Sequence, residues 1–368
     1  MRQITLKIVA ITSLLLLATT GYAQHKKKSP PAKTGVKNQN ITQAQGQVQG
    51  GDGVFGSTYT LNSGINFSIL KARYVVEPHN SYGRVFPGPD EKLLILTCAA
   101  KNANKEDAFY GGQEFQAVDE EGHDYPSSMF RLASTGSKEF GPNLKPGQGF
   151  GQFPDKDELT ISITLPSKAR VSKIILKAGR KFVKNEEVVR YFISDVATKE
   201  RDGAVGNPKN TITPLPDFVK DPSDKQGATA LTTGVGKMAT AYPSSYFAMT
   251  VDSIELSNTV KMNDISPDEG KTYAIATITV KNISPRAITL FDVGEVFYFK
   301  DADGEKYSMI DGSGRRKSKR DEAAPSEELQ VGDSYTFRAF MLVPKDVKLK
   351  SFYFGTESGR RYILDLPK

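Results

Sequence analysis

The clearest pattern in this chain is an alternation of side chains with a period of two residues. Within residues 273–280, every second position is apolar, namely Ala274, Ala276, Ile278 and Val280. This alternation is typical of a β-strand, because successive side chains of a strand point to opposite faces of the sheet. Residues 93–100 form a second strong run, and shorter β-branched or aromatic runs follow at regular spacing. No segment sustains the 3.6-residue apolar period of a helix, so the pattern predicts an all-β protein.

The strand pattern occurs twice. Residues from about 67 to 193 and from about 247 to 364 carry the same landmarks in the same order. Each copy has a Lys-Asn pair, an Asp-x-x-Gly-x-x-Tyr turn, a Leu-x-x-Gly step and an apolar-Pro step. The matching segments are 101–102 with 281–282, 119–125 with 301–307, 144–147 with 329–332, and 165–166 with 343–344.

The strand pattern of each copy predicts an antiparallel immunoglobulin-like β-sandwich. About seven short strands separated by Gly and Pro turns are typical of that architecture. In the second copy, Asp303-Gly304 lies between two strand-like runs, which indicates a hairpin whose turn needs a positive φ. Tyr125 and Tyr307 follow this turn in the two copies, and their repetition favours a shared structural hydrogen bond or packing role over a ligand platform.

At these landmarks the chain resembles a bacterial family of exported domains of unknown function, within the immunoglobulin-like immunoprotective extracellular superfamily. Both copies fit, so the resemblance covers most of the chain outside the predicted tail and linker. The second copy fits better, since the first has seven extra residues between Gly147 and Pro166 and carries Glu121-Gly122-His123 in place of the Asp-Gly turn. The resemblance implies a sandwich and transfers no catalytic residue.

The predicted organisation has five parts. Residues 1–23 are a signal peptide, 24–57 a disordered basic and polar tail, 58–195 the first sandwich, 196–244 an irregular linker, and 245–368 the second sandwich. The tail has few apolar side chains with which to offset its chain entropy. The linker is rich in Pro, Gly, Ala and Thr, and its length would allow the two sandwiches to move relative to each other.

The N-terminus predicts export. Arg2 and Lys7 precede an apolar stretch, residues 8–18. Gly21-Tyr22-Ala23 then offers a small-residue cleavage site. The stretch is shorter than the about 20 residues that a membrane helix needs, and no later run is long and apolar enough to span a bilayer. We therefore expect an exported protein, periplasmic or extracellular, with no transmembrane segment after cleavage.

The net charge limits the kinds of partner that this chain can have, and the cysteine count limits how its fold is stabilised. The formal charge of +7 falls to +5 once Arg2 and Lys7 are removed. This mild excess favours anionic envelope polymers or lipid surfaces, and the export signal together with the lack of aromatic-basic interleaving disfavours nucleic acid. The single cysteine, Cys98, excludes an intramolecular disulfide and lies on the same strand face as apolar residues, so we interpret it as a core thiol.

The sequence predicts no enzyme, no cofactor and no metal centre. Of the three histidines, His25 is in the tail, His79 in a Pro/Asn loop, and His123 in a turn beside Asp124. No nucleophile, base and orienting group fall into a recognised arrangement, and no Cys/His set has metal-ligand spacing. The carboxylates of residues 301–305 would suit calcium, but a hairpin made of turn-forming residues explains them better.

The sharpest local feature is a basic cluster, Arg315, Arg316, Lys317, Lys319 and Arg320. Five cations within six residues would form a docking patch for an anionic polymer, lipid headgroups or an acidic partner. A solvated loop neutralised by the acids that follow it is the simpler interpretation. The sequence therefore predicts a non-enzymatic binding or scaffolding protein of the bacterial envelope, with a polyanion- or glycan-binding module that uses residues 315–320 as the alternative. A hydrolytic or metal-dependent enzyme is a distant third.

Overall fold

The computed structural model describes residues 51–367, except 62, 80–84, 110–112, 128–142, 151–158, 179–186, 197–204, 259–266, 291–293, 310, 316–321, 324–327 and 358. The predicted signal peptide and residues 24–50 of the predicted tail lie outside these residues. All secondary-structure elements assigned in the described part of the chain are β-strands. The predicted all-β class is confirmed.

The strands of the first half are short and closely spaced: β1 (Gly51–Asp52), β2 (Tyr59–Thr60), β3 (Ile65–Val75), β4 (Glu91–Asn102), β5 (Ala108–Phe109), β6 (Gln113–Asp119), β7 (Asp124–Pro126), β8 (Asn143–Leu144), β9 (Gly149–Phe150), β10 (Leu159–Pro166), β11 (Val171–Ala178), β12 (Glu187–Phe192) and β13 (Ile212–Thr213).

The strands of the second half are β14 (Thr233–Val235), β15 (Ala241–Ser244), β16 (Phe247–Ser257), β17 (Lys271–Asn282), β18 (Ile288–Thr289), β19 (Glu295–Asp301), β20 (Lys306–Ser308), β21 (Asp311–Arg315), β22 (Glu322–Ala323), β23 (Glu328–Leu329), β24 (Ser334–Pro344), β25 (Leu349–Thr356) and β26 (Arg361–Asp365).

Two main sheets build each half, so the molecule contains two tandem β-sandwiches. The first has the strand orders β1-β12-β11-β6-β7 and β10-β4-β3-β13, and the second has β14-β26-β25-β19-β20 and β15-β16-β17-β24-β21-β22. Three pairings are parallel, β1 with β12, β13 with β3, and β14 with β26, whereas the predicted sheets were purely antiparallel. One strand of each parallel pair, namely β1, β13 or β14, lies at a sheet edge, where the chain enters or leaves a sandwich.

The strand β4 is buried on both faces. Leu94, Leu96 and Cys98 belong to the main core, whereas Leu93 and Ile95 form a small cluster on the outer face of the sheet. This explains why the run 93–100 is almost continuously apolar rather than alternating. Cys98 is fully buried, which confirms that it is a core thiol.

The repeat extends further toward the N-terminus than the sequence pattern indicated. A Cβ on Gly53 would lie 2.5 Å from the ring of Tyr191, and one on Gly234 would lie 2.8 Å from the ring of Tyr362. In both sandwiches the entering segment therefore needs glycine, because its backbone lies directly against a core tyrosine ring.

These entering segments belong to the sandwiches rather than to the tail and the linker. In the first copy, the backbone N–H of Val54 donates to the hydroxyl of Tyr59 at 2.8 Å. In the second, the N–H of Lys237 donates to the hydroxyl of Tyr242 at 2.9 Å. Strand β1 lies within the range predicted as the tail, and β13, β14 and β15 lie within the range predicted as the linker.

The connecting segment packs on both sandwiches. It is irregular over most of residues 205–232, yet Leu215 and Val219 are buried in the core. The ring of Phe218 lies 5.2 Å from that of Tyr242 and 6.1 Å from that of Tyr362. The predicted local packing of Phe218 and Val219 is confirmed.

Two buried cations bind the backbone of this segment. Lys92 of β4 donates from Nζ to the carbonyl oxygens of Ser167 at 3.0 Å, Ala169 at 2.6 Å and Ala228. Burial lowers the pKa of Lys92 to about 7, although Asp224 opposes that shift. An ammonium group has three N–H donors, and three carbonyls accept here, so the geometry satisfies the side chain fully.

Arg360 is the second of these buried cations. One of its terminal nitrogens donates to the carbonyl oxygen of Leu231, and the other donates to that of Glu91 at 2.7 Å. A side chain of the second sandwich thus binds the first sandwich and the connecting segment together. The described residues, from 51 to 367, belong to one compact unit.

Native Cys98 should resist alkylation. Burial raises the pKa of its thiol, and only the thiolate reacts at a useful rate. We expect labelling by iodoacetamide only at denaturant concentrations that unfold the first sandwich. Cys98→Ser should cost about 1–3 kcal/mol of stability, because the hydroxyl enters an apolar core. Rapid labelling of the native chain would contradict the core position.

A fragment of residues 232–368 should be more stable than one of residues 245–368. The shorter fragment lacks β14 and β15, and with them Tyr242, whose ring lies 4.9 Å from that of Tyr362. Loss of one large buried aromatic costs about 3–5 kcal/mol. Urea unfolding followed by circular dichroism measures the difference. Equal midpoints would show that residues 232–244 are dispensable to the second sandwich.

Candidate functional site

The predicted basic cluster is only partly described. Arg315 is the last residue of β21, and its backbone pairs with Glu322 of β22 and with Thr336 of β24. Arg316, Lys317, Lys319 and Arg320 lie outside the described residues. The cluster therefore stays a prediction, located by its flanking strands between the two outermost strands of a sheet of the second sandwich.

The repeated Asp-x-x-Gly-x-x-Tyr turn is a structural cap. In the second sandwich, Oδ1 of Asp301 accepts from the backbone N–H groups of Asp303 at 3.0 Å and Glu305 at 2.8 Å. Its Oδ2 accepts from the hydroxyl of Tyr307 at 2.9 Å, and Gly304 has a φ of 89°. The hairpin interpretation and the shared hydrogen bond of the tyrosine are confirmed.

The first sandwich has the same cap in spite of its different sequence. Oδ1 of Asp119 accepts from the N–H groups of Glu121 at 3.0 Å and His123 at 2.8 Å, and Oδ2 accepts from the hydroxyl of Tyr125 at 2.9 Å. Gly122 takes a φ of 94°. The substitution of Glu-Gly-His for Asp-Gly-Glu therefore leaves the turn geometry unchanged.

The structure also brings together Asp119, Glu121 and His123, whose ligand atoms lie within 4.8 Å of one another. The Nδ1 of His123 is 3.1 Å from Oδ2 of Asp119 and 3.5 Å from Oε2 of Glu121. The second sandwich forms the same cap with Glu305 in place of His123. The proximity of Asp119, Glu121 and His123 therefore follows from the geometry of the turn.

Buried asparagines account for the Lys-Asn landmark. Nδ2 of Asn102 donates to the carbonyls of Glu106 and Leu144, and Nδ2 of Asn282 donates to those of Arg286 and Leu329. Each asparagine thereby ties the end of a central strand to the loop that follows it. The repeated landmarks thus serve the fold.

The outer face of the sheet β14-β26-β25-β19-β20 carries a different set of side chains. Strand β19 contains Phe297-Tyr298-Phe299, and strand β25 contains Phe352-Tyr353-Phe354. All four phenylalanines are buried in the core, so the two-residue period turns both tyrosines outward. Both tyrosines are partly exposed.

The two tyrosines lie directly opposite each other in the register of the sheet. Their ring centroids are 4.5 Å apart and their planes differ by 10°, so one face of each ring covers the other. Aromatic cross-strand pairs of this kind stabilise a sheet modestly. The stack also fixes where the two hydroxyl groups lie.

Cations flank the stack. Nζ of Lys306 on β20 lies 4.3 Å from the ring centroid of Tyr298, and Nζ of Lys300 lies 5.2 Å from that of Tyr353. Both distances are within the range of a cation–π interaction. Since β20 and β25 lie on opposite sides of β19, Lys306 covers the ring face of Tyr298 that points away from Tyr353.

Arg361 completes this surface from β26. It pairs with Gly355, which pairs in turn with Val296. Gly355 has no side chain and a φ of 147°, and a Cβ there would lie 2.5 Å from the carbonyl oxygen of Arg360. Burial and the neighbouring Tyr353 raise the pKa of Tyr298, and the charge of Arg361 opposes that shift.

We call Tyr298, Lys300, Lys306, Tyr353 and Arg361 the tyrosine–lysine face. It presents phenol O–H, ammonium and guanidinium groups, all of which donate hydrogen bonds at neutral pH. Exposed Asp365 lies at its margin, opposite Ser351, and exposed Glu305 directly precedes Lys306. The surface therefore suits a ligand that supplies acceptors and negative charge.

The first sandwich lacks this arrangement. By sheet register, Gln116 stands where the second sandwich has Tyr298, and Ile175 where it has Tyr353. Val118 and Asp124 stand in the places of Lys300 and Lys306. The tyrosine–lysine face is thus specific to the second copy.

The sequence interpretation missed this face because it assigned most aromatic residues to the core. The available signal was the pair of Phe-Tyr-Phe triplets. With phenylalanine inward on both sides, the middle residue of each triplet has to face outward. The residues that flank the stack, Lys306 and Arg361, come from two other strands and carry no comparable signal.

A cavity of about 180 Å³ lies over β3 and β4 of the first sandwich. Ser68 lines it, with a buried Oγ that has no hydrogen-bond partner. Sites for small organic ligands usually enclose roughly 300–1,000 Å³. This cavity is too small to be the principal binding site.

The sequence of the second sandwich is similar to a protein family of unknown function. Residues 235–358 match the family model "Domain of unknown function (DUF4352)", a range that begins in β14. None of the curated proteins compared matches the sequence of this chain. The prediction that the first half is a second copy from the same family stays a prediction.

Three solved structures resemble the chain weakly. An uncharacterized β-sandwich protein from Clostridium difficile 630 has 16% identity and a TM-score of 0.30, covering 36% of this chain and 92% of its own. The secreted protein MPT63 from Mycobacterium tuberculosis has 15% identity and a TM-score of 0.27, covering 36% of this chain and 98% of its own. Bovine butyrophilin has 8% identity and a TM-score of 0.21, covering 81% of this chain and 99% of its own. Likenesses this weak say nothing about function.

Within the described residues, no helix has the length and apolar character needed to cross a membrane.

The Asp119 cap should make the first sandwich sensitive to acid. Burial raises the pKa of this carboxyl group, but the hydrogen bonds from His123 and Tyr125 outweigh burial, and the pKa lies below its usual value. As pH falls below about 4, the unfolded chain binds its proton first. The stability contributed by the cap is therefore present above that pH and is lost on acidification through the folded pKa.

Asp119→Asn should cost about 1–3 kcal/mol at pH 7, because it weakens a buried charge-assisted network, and it should flatten the loss of stability between pH 5 and 2. Urea unfolding across this pH range measures both effects. Asp124→Asn, at an exposed neighbour, is the matched control. Identical profiles for Asp119→Asn and the parent would contradict the role of the cap.

Proposed function

We propose that this chain is an exported, non-enzymatic binding protein of the bacterial cell envelope, and that its second sandwich contacts the envelope through the tyrosine–lysine face. Export is supported by the N-terminal pattern, with Arg2 and Lys7, the apolar residues 8–18 and the Gly21-Tyr22-Ala23 site. Its compartment would be the periplasm or the extracellular medium.

The observation that carries the proposal is the outward Tyr298–Tyr353 stack with Lys300 and Lys306 beside it. The core needs only the phenylalanines of the two triplets, and the first sandwich is built without outward tyrosines at these positions. Donor groups held in place by mutual packing lose little freedom when a ligand binds.

A non-enzymatic role is supported by the use of the repeated polar residues. The carboxylates of Asp119 and Asp301 accept hydrogen bonds within their own turns, and the amides of Asn102 and Asn282 donate to loop carbonyls. Side chains engaged in this way support the fold rather than acting on a substrate. Turnover in a broad substrate screen would overturn this part of the proposal.

The basic cluster at residues 315–320 is the second candidate surface, as a module that binds polyanions or glycans. Five cations within six residues favour it, and so does its position in the chain between β21 and the edge strand β22, which pair with each other. The two surfaces belong to different sheets of the second sandwich, so separate substitutions distinguish them.

Co-sedimentation with washed envelopes of the source bacterium tests the proposal. We expect the mature chain to sediment with them and the triple variant Lys300→Ser, Lys306→Ser, Arg361→Ser to remain in the supernatant, because the face loses its charge. The matched control removes three exposed cations of the first sandwich, Lys101→Ser, Lys145→Ser and Lys168→Ser, and should sediment like the parent.

Equal sedimentation of the face variant and the parent would overturn the role of the face. A variant with Ser at 315, 316, 317, 319 and 320 then tests the second surface. Since surface charges contribute little to folding, the circular dichroism spectra and thermal midpoints of the face variant and of the control should lie close to those of the parent.

A further inference from the structure

We propose that the tyrosine–lysine face binds an acidic polysaccharide, whose carboxylate, sulfate or phosphate groups accept hydrogen bonds from the two tyrosine hydroxyls and the three cations. This inference rests on the proposed function and names the class of ligand at the same surface.

Neutral sugars are disfavoured by the ring geometry. A sugar ring that stacks on an aromatic side chain needs a free ring face. One face of Tyr298 is covered by Tyr353 at 4.5 Å, and Lys306 lies over the other at 4.3 Å. Tyr353 is stacked on Tyr298 on one side and has Ile363 of β26 opposite it on the other. Recognition through this surface therefore depends on its hydroxyl and cationic groups.

Those groups are all donors. The hydroxyls of Tyr298 and Tyr353 belong to residues on adjacent strands, and Lys300, Lys306 and Arg361 lie around them. The raised pKa of Tyr298 keeps its hydroxyl protonated throughout the neutral range. An anionic acceptor forms the strongest hydrogen bonds with such a set, since bonds to charged groups are roughly twice as strong as neutral ones.

The extent of the face indicates a polymer. Lys306 lies on β20 and Arg361 on β26, with β19 and β25 between them. Three inter-strand spacings of about 4.8 Å place these strands about 14 Å apart. A single small anion cannot contact both ends, whereas successive charged groups of a polymer can.

Other polyanions fit the geometry less well. Lysine is depleted at the centres of protein–protein interfaces, yet two lysines flank the stack here. Single-stranded nucleic acid is usually bound by base stacking on free aromatic faces, and the faces of Tyr298 are covered. A carbohydrate chain with acidic groups uses the hydroxyls and cations and needs no ring face.

Affinity electrophoresis of the full mature chain tests the inference. The gels contain polygalacturonate, dextran sulfate or neutral dextran, and parallel binding assays use poly-glutamate and oligo-deoxythymidine. We expect retardation by one or both acidic polysaccharides, none by dextran, and weaker binding to the last two probes. Retardation should decrease as salt is raised from 50 to 500 mM, since exposed charges are then screened.

The double variant Tyr298→Phe, Tyr353→Phe separates recognition from simple ion exchange. It keeps the ring stack and every charge but removes both hydroxyls. We expect a loss of affinity of about tenfold or more, as each charge-assisted hydrogen bond contributes on that order. The triple variant at Lys300, Lys306 and Arg361 should lose at least about 100-fold, and the control at Lys101, Lys145 and Lys168 should bind like the parent.

The outcomes distinguish the inference from the proposed function. Tighter binding of poly-glutamate or oligo-deoxythymidine, or full affinity in the double tyrosine variant, would overturn the polysaccharide as ligand. If envelope sedimentation still depended on the face, the proposed function would survive that result. Unchanged polysaccharide binding by the triple variant would remove this surface from the inference, and unchanged envelope sedimentation by the same variant would remove it from the proposed function as well.

Discussion

Burial of at least one row of side chains in each long strand is the constraint on which this structure depends. Where a strand covers the core on one face only, as β19 and β25 do, the alternate row is left to the outer surface. The phenylalanines of these two strands fill the core, and the same backbone then presents Tyr298 and Tyr353 outward in register. The candidate site is thus a consequence of core packing, refined by the lysines and the arginine around it.

Irregular backbone presents a different problem, because its polar groups have no ladder partner. In the connecting segment, some of these backbone carbonyls accept hydrogen bonds from cationic side chains of the sandwiches. Lys92 and Arg360 donate to carbonyls on both sides of the junction, and Asp224 accepts from backbone N–H groups of Ala228 and Thr229 at 2.9 and 2.7 Å. These contacts explain why a segment with the composition of a flexible linker is packed against both sandwiches.

Much of the fold was predictable, because its signals are local. The two-residue period identified the principal strands, and Cys98 followed from its place on an apolar face. The Asp-x-x-Gly-x-x-Tyr turns were recognisable since the carboxylate, the glycine and the tyrosine act within seven residues. The entering strands β1 and β14 escaped notice because two or three residues carry no periodicity. Their signal, Gly53 or Gly234 against a tyrosine ring, depends on residues more than 100 positions away.

The sequence by itself determined the all-β class, the hairpin turns and the inward rows, because each depends on neighbours along the chain. Only the tertiary structure decided that Tyr298 stands opposite Tyr353, that Arg361 reaches the face across Gly355, and that Lys92 meets Ala228. Strand register and the packing of a distant segment are set by contacts between parts of the chain far apart in sequence. A one-residue slip of register would turn every side chain of a strand to the other face, so the site exists only once both sheets have packed.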